Sequence, residues 1–111
     1  MPKHNKLLGQ AGEEFATQFL LKRGYTIIVR NWRTKIGEVD IIAKHNATLY
    51  FIEVKTRSNI AYGYPSEAIT PKKLQRMKIT ASQYIAESHH RGECRLAVIE
   101  VLGVSCNLIE I

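Results

Sequence analysis

Residues Thr48 to Thr56 constrain this chain more than any other stretch. The run Thr48-Leu49-Tyr50-Phe51-Ile52-Glu53-Val54-Lys55-Thr56 is β-branched and aromatic almost throughout, which predicts a strand near the middle of a sheet. Yet it carries two charges. At a strand's period of two, Glu53, Lys55 and Arg57 fall on one face while Ile52, Val54 and Thr56 take the other. A carboxylate among such neighbours needs a charge partner, because burying it uncompensated would cost more than most single interactions return.

A second acidic segment lies close by. Gly37-Glu38-Val39-Asp40-Ile41-Ile42-Ala43 reads as a turn followed by a strand over Val39 to Ala43, with Glu38 and Asp40 on one face. The short connection His45-Asn46-Ala47 looks like a hairpin, so the two strands are expected to be neighbours. Asp40, Glu53 and Lys55 then converge at one end of the sheet. Carboxylates there are hard oxygen ligands suited to a divalent cation, and the Val54 carbonyl would add another. Lys55 would orient an attacking water and offset negative charge, which together is the apparatus of metal-assisted phosphodiester hydrolysis. The plain alternative is an exposed same-face pair worth about 0 to 1 kcal/mol. The apolar flank Leu49 to Ile52 and the acids one strand earlier favour a site.

The remaining elements frame these strands. Leu8, Ala11, Gly12, Phe15, Ala16 and Phe19 recur at helical spacing, predicting an amphipathic helix over about residues 6–23 that Gly24 stops. If that helix crosses the charged sheet end, Glu13 would hold a second metal or a water bound to one, although an acid early in a helix is also favoured by the macrodipole. Tyr25 to Val29 reads as a first strand leading through Asn31-Trp32-Arg33 into a basic turn. Asn59, Gly63 and Pro65 make Ser58 to Ser66 a loop, placed to act as a flap. Thr70 is an N-cap and Pro71 a first helical residue, with Leu74, Met77, Ala81, Tyr84 and Ile85 marking a helix to about Ser88. Strands over Arg95 to Leu102 and Asn107 to Ile111 complete the order helix, three strands, helix, one or two strands.

Size and charge narrow the classes. A chain of 111 residues with 45% hydrophobic and 23% charged residues is expected to be one globular domain, 1–111. Sixteen Lys and Arg against ten Asp and Glu, a net charge of +6, favour polyanionic partners. Cys94 and Cys106 are far apart and lack the spacing of a zinc site. With no apolar signal core and no membrane span, a reducing cytoplasm and free thiols are expected. His4, His45, His89 and His90 lack ligand spacing and take no role.

The segments Gly9-x-x-Gly12-Glu13-x-x-Ala16, Asn31-Trp32-Arg33, Gly37 to Ala43, Phe51 to Arg57 and Gly63-x-Pro65-x-Glu67-Ala68 together resemble the YraN-like family of bacterial proteins. That family is similar in turn to restriction-endonuclease-like nucleases with the PD-(D/E)-x-K motif, above all archaeal Holliday-junction resolvases. The resemblance implies an α/β fold of three layers, α/β/α, with a central mixed sheet and the order αβββαβ(β). It makes Asp40 the motif's first acid, Glu53 its second, Lys55 its lysine and Glu13 the acid on the opening helix. Mg2+ or Mn2+ is the implied cofactor. Two positions depart from the pattern: Val39 stands where proline is common, and Arg95-Leu96-Ala97 stands where the family usually has Arg-Phe-Asp.

Two basic stretches mark an expected path for nucleic acid. Residues 22–35 and 71–78 are rich in Lys and Arg and contain no acid, and Arg33, Arg57, Lys72, Lys73 and Arg76 are the first candidates for phosphate contacts. Trp32, Tyr62 and Tyr64 are candidates for stacking on splayed bases. The function expected is a metal-dependent endonuclease acting on DNA, selecting branched or flapped structures by shape. The alternative is a nucleic-acid-binding adaptor on the same fold, inactive alone or active only in a complex with partners in DNA processing. Symmetric cutting of two strands needs two sites, so a homodimer suits a resolvase activity.

Overall fold

The computed structural model describes the backbone of residues 3–57 and 69–111, and side chains over 9–56 and 69–111. Helix α1 (Lys3–Lys22) leads into three strands, β1 (Thr26–Arg33), β2 (Glu38–His45) and β3 (Thr48–Arg57). Helix α2 (Pro71–Ser88), β4 (Cys94–Leu102) and β5 (Ser105–Glu110) follow. The strands form one mixed sheet in the order β1-β2-β3-β4-β5. All neighbours are antiparallel except β3 and β4, whose parallel pairing requires the crossover through α2. β3 is the central strand, as its apolar run predicts.

The two helices cover opposite faces. Ala16 and Leu20 of α1 pack on Ile41, Ala43, Ile52, Ala97, Ile99 and Val101, while Ala81 of α2, with Tyr84 and Ile85, packs on Val39, Ile42, Leu49 and Phe51. This is the three-layer α/β/α arrangement with the element order αβββαββ. Ala97 is fully buried under α1 and pairs with Ile52, so it lies on the face opposite Glu53. No described helix is long and apolar enough to cross a membrane.

Local chemistry sets the boundaries. Gly24 at φ 86 ends α1, with the Tyr25 N–H returning to the Leu20 carbonyl at 3.0 Å. Thr70 caps α2 by accepting the Lys73 N–H at 3.1 Å, with Pro71 at the first helical position. Two expectations are corrected. The first strand does not stop at Val29 but runs on to Arg33, with Asn31 in a left-handed conformation (φ 55) and pairing with β2 continuing to Glu38; the basic turn follows, closed by the Thr34 N–H on the Gly37 carbonyl at 2.8 Å. The buried stripe of α1 is Gly12, Ala16, Thr17 and Leu20, with Ala11 exposed and Phe15 43% exposed, because the helix lies on the sheet along its small residues.

Candidate active site

The site forms where β2 and β3 part. Their pairing ends at Ile41 and Ile52; beyond it, β2 pairs only with β1 and β3 only with β4. The inside-outside alternation of β2 breaks at the same point, since Val39 joins the α2 face while Ile41 faces α1. Asp40 sits at this fork. Its Oδ2 accepts the Val54 N–H at 2.8 Å, so a side chain takes over where the backbone ladder stops. The splayed end opens a cleft of about 400 Å³ lined by Ile36, Gly37, Glu38 and Glu53 on the sheet side and by Thr70, Lys72, Lys73, Arg76 and Met77 of α2 and its cap on the other.

Asp40 and Glu53 are both nearly buried, at 8% and 7% exposure. Burial, followed by the like charge of Glu53, pushes the Asp40 carboxyl up to about 7, against the Val54 N–H bond that favours its charged form. Glu13 and Glu38 add to the push. Glu53 is neutralised from two sides through a single oxygen. Lys73 Nζ lies 2.5 Å and Lys55 Nζ 3.4 Å from its Oε1. Burial, then the hydrogen bond from Lys73, draws Lys55 below the ordinary lysine range. Burial pulls on Lys73 as well, but its bonds to Glu53 and Lys55 and the charges of Glu53 and Asp40 hold it above that range.

Helix α1 supplies the remaining acid through a glycine. A Cβ on Gly12 would fall 1.8 Å from Thr56 Oγ1, so only glycine lets α1 approach the charged end of β3 this closely. The next residue, Glu13, is thereby near enough to act on Asp40 as charge. Among the described residues no three His, Cys, Asp or Glu side chains come together closely enough to hold a metal ion. Of the neighbouring acids Glu53 acts on Asp40 most strongly, with Glu13 after it.

The basic candidates separate into groups. Lys72 and Arg76 are exposed and line the cleft. Arg33 is exposed and pairs with Glu38 at 2.6 Å, beside the same opening. The side chain of Arg57, the loop of residues 58–66, and Tyr62 and Tyr64 lie outside the described residues. Trp32 packs edge-on against Tyr84 at 5.3 Å and supports the α2 face. The partnership of Lys73 with Glu53 was not anticipated. One signal pointed to it: the first turn of α2 holds Lys72 and Lys73 and no acid, against the helix dipole, which calls for negative charge opposite.

A model of the family described as "Uncharacterised protein family UPF0102" matches residues 12–101. The chain belongs to the UPF0102 family. A UPF0102 protein of Caldicellulosiruptor saccharolyticus is 50% identical over 96 residues, 85% of this chain and 80% of the relative. One from Chlorobium phaeobacteroides is 46% identical over 106 residues, 95% and 84% of the two chains. Another from Clavibacter michiganensis subsp. michiganensis is 44% identical over 96 residues, 86% and 81% of the two. The YraN-like resemblance of the sequence is thus a resemblance to UPF0102. The match begins at Gly12 and takes in Glu13, Asp40, Glu53, Lys55 and Lys73.

Proposed function

We propose that this protein is a Mg2+- or Mn2+-dependent endonuclease that hydrolyses phosphodiesters in DNA, with a preference for branched or flapped structures. The observation that carries the reading is the fork of β2 and β3, where the buried carboxylates of Asp40 and Glu53 act on one another, Lys55 pairs with Glu53, and Glu53 lines a cleft edged by Lys72 and Arg76. The donor set fits a hard divalent cation. Asp40 and Glu53 offer oxygen ligands only, and their demand for positive charge is evident in the raised Asp40 carboxyl and in two ammonium groups drawn to one Glu53 oxygen.

Asp40 and Glu53 would hold the metal, whose part is to activate water and neutralise charge developing on the phosphoryl group. The chain's own groups do the rest. The Val54 N–H fixes one Asp40 oxygen and leaves the other for coordination. Lys55, anchored on the central strand beside Glu53, orients the attacking water and offsets charge on the phosphate. Lys72, Arg76 and Arg33 line or flank the opening and grip neighbouring phosphates, a contact type that positions the backbone without reading sequence. That suits selection by shape, and a homodimer would present two such sites to a four-way junction.

A second reading is an adaptor that binds nucleic acid without cutting it. The internal pairing of Glu53 with Lys73 favours it, because this carboxylate is satisfied by the chain alone. One experiment separates the two. Mg2+ or Mn2+ is titrated by calorimetry into wild type and an Asp40→Ala/Glu53→Ala variant, and linear, flapped and four-way DNA are assayed in the same buffers. The nuclease reading expects metal binding and cleavage in wild type, both lost in the variant. Salt-sensitive DNA binding with neither would establish the adaptor instead.

A further inference from the structure

Lys73 does something a phosphate-gripping lysine does not. Its ammonium is spent on Glu53 at 2.5 Å, although its helix borders the open cleft. Glu53 Oε1 already carries the Lys73 ammonium at 2.5 Å and the Lys55 ammonium at 3.4 Å. A dication coordinated by that oxygen would lie at contact distance from both, where repulsion is strongest. One ammonium would have to withdraw.

The two lysines are not equally free to do so. Lys55 is held in the central strand, opposite Glu100 of β4 and two residues from Glu53 itself. Lys73 is the more exposed of the two, at 36% against 24%, and reaches Glu53 from the first turn of α2 on a flexible four-carbon stem. The dipole of α2 repels a cation at that position, which weakens the hold. Its alternative position is already lined, since Lys73 borders the same cleft as Lys72 and Arg76.

We propose that Lys73 is a built-in counter-cation that occupies Glu53 until a divalent metal is taken up, and that it must leave Glu53 for that carboxylate to coordinate. The inference rests on the reading of Asp40 and Glu53 as metal ligands. It makes Lys73 a positioning residue that satisfies the buried Glu53 carboxylate without metal. Released, the ammonium joins the positive edge of the cleft, so metal uptake and phosphate binding favour one another reciprocally.

The test is calorimetric titration of Mn2+ into the full chain as wild type, Lys73→Met, Lys73→Gln and Lys44→Met, with melting curves to confirm folding. Lys73→Gln keeps an amide donor for Glu53 should the methionine variant fail to fold. Both Lys73 variants are expected to bind Mn2+ about tenfold more tightly or better, the equivalent of losing one modest competing ion pair. Lys44→Met, lacking an exposed lysine on β2 outside the cleft lining, should change affinity by less than about twofold. In protein with carbon-labelled lysine, the side-chain resonance missing from Lys73→Met should shift as wild type is saturated with Mg2+. Metal binding seen only after Lys73 is removed would also support the proposal. Wild-type binding that is unchanged or weakened in both Lys73 variants would overturn it while leaving the nuclease reading intact. No binding by wild type or either Lys73 variant would overturn both.

Discussion

Replacing Asp40 by asparagine should make the metal-free protein more stable, by an amount set by pH. The carboxyl titrates at about 7 in the fold against an ordinary 3.8, so the folded state holds its proton more tightly than the unfolded chain does. Below pH 4 the residue is protonated in both states and contributes no penalty. Between pH 4 and 7 the unfolded chain has lost the proton while the fold retains it, so stability falls as pH rises; above 7 the penalty is complete. At 1.36 kcal/mol for each pH unit the ceiling is about 4 kcal/mol, and roughly 2 to 4 kcal/mol is expected. The asparagine amide would keep an oxygen for the Val54 N–H, so the variant removes the charge and little else. In a chelating buffer, urea denaturation of wild type and Asp40→Asn should coincide near pH 4. They should diverge to that full difference at pH 8, a melting shift of roughly 10 °C for a domain of this size. A variant equally stable or less stable at pH 8, or a difference that does not change with pH, would refute the account of Asp40 as a buried, like-charge-repelled carboxyl. The expected outcome is the usual sign of a site in which stability is given up for chemistry.

Other outcomes follow from the same geometry. Affinity for Mn2+ should rise about tenfold per pH unit up to pH 7 and then level, because Asp40 must release its proton to coordinate; calorimetry at several pH values reads the slope. Gly12→Ala should cost about 1 to 3 kcal/mol in chemical denaturation, since its methyl group would meet the Thr56 hydroxyl; a neutral effect would mean that α1 does not depend on this close approach. Lys72→Ala and Arg76→Ala should each lower the slope of log affinity for DNA against log salt by about 1, with no preference among sequences of the same shape; unaltered slopes would take α2 out of the DNA path.

The parts of the fold legible in the sequence are those whose cause is local. Thr70-Pro71 announces a helix start because the cap hydroxyl and the proline ring act on the residues beside them. Gly24 ends α1 because it alone there adopts a positive φ at little cost. The period of two in β3 puts Glu53 and Lys55 on one face, and the apolar run around them places the strand in the sheet interior. The same local reading ends the first strand too early, at Val29, because the polar and basic residues that follow mask a strand that stays paired through a left-handed Asn31 to Arg33. It also gave Phe15 to the core of α1, because helical period marks a stripe without saying which edge of it meets the sheet.

What the sequence determined by itself is therefore the set of elements, their order and the presence of acids and a lysine on neighbouring strands, all consequences of spacing along one chain. Only the tertiary structure decided what those charges face. The β2–β3 pairing stops at Ile41 and Ile52, which leaves Asp40 to bind the Val54 N–H and opens the cleft. The parallel pairing of β3 with β4 sends the chain over the sheet through α2, and that crossover delivers Lys73 to Glu53 from twenty positions away. Charges interact through space and their strength depends on burial, so the basic first turn of α2 calls for an acid opposite without naming Glu53, and the raised carboxyl of Asp40 has no counterpart in residue order.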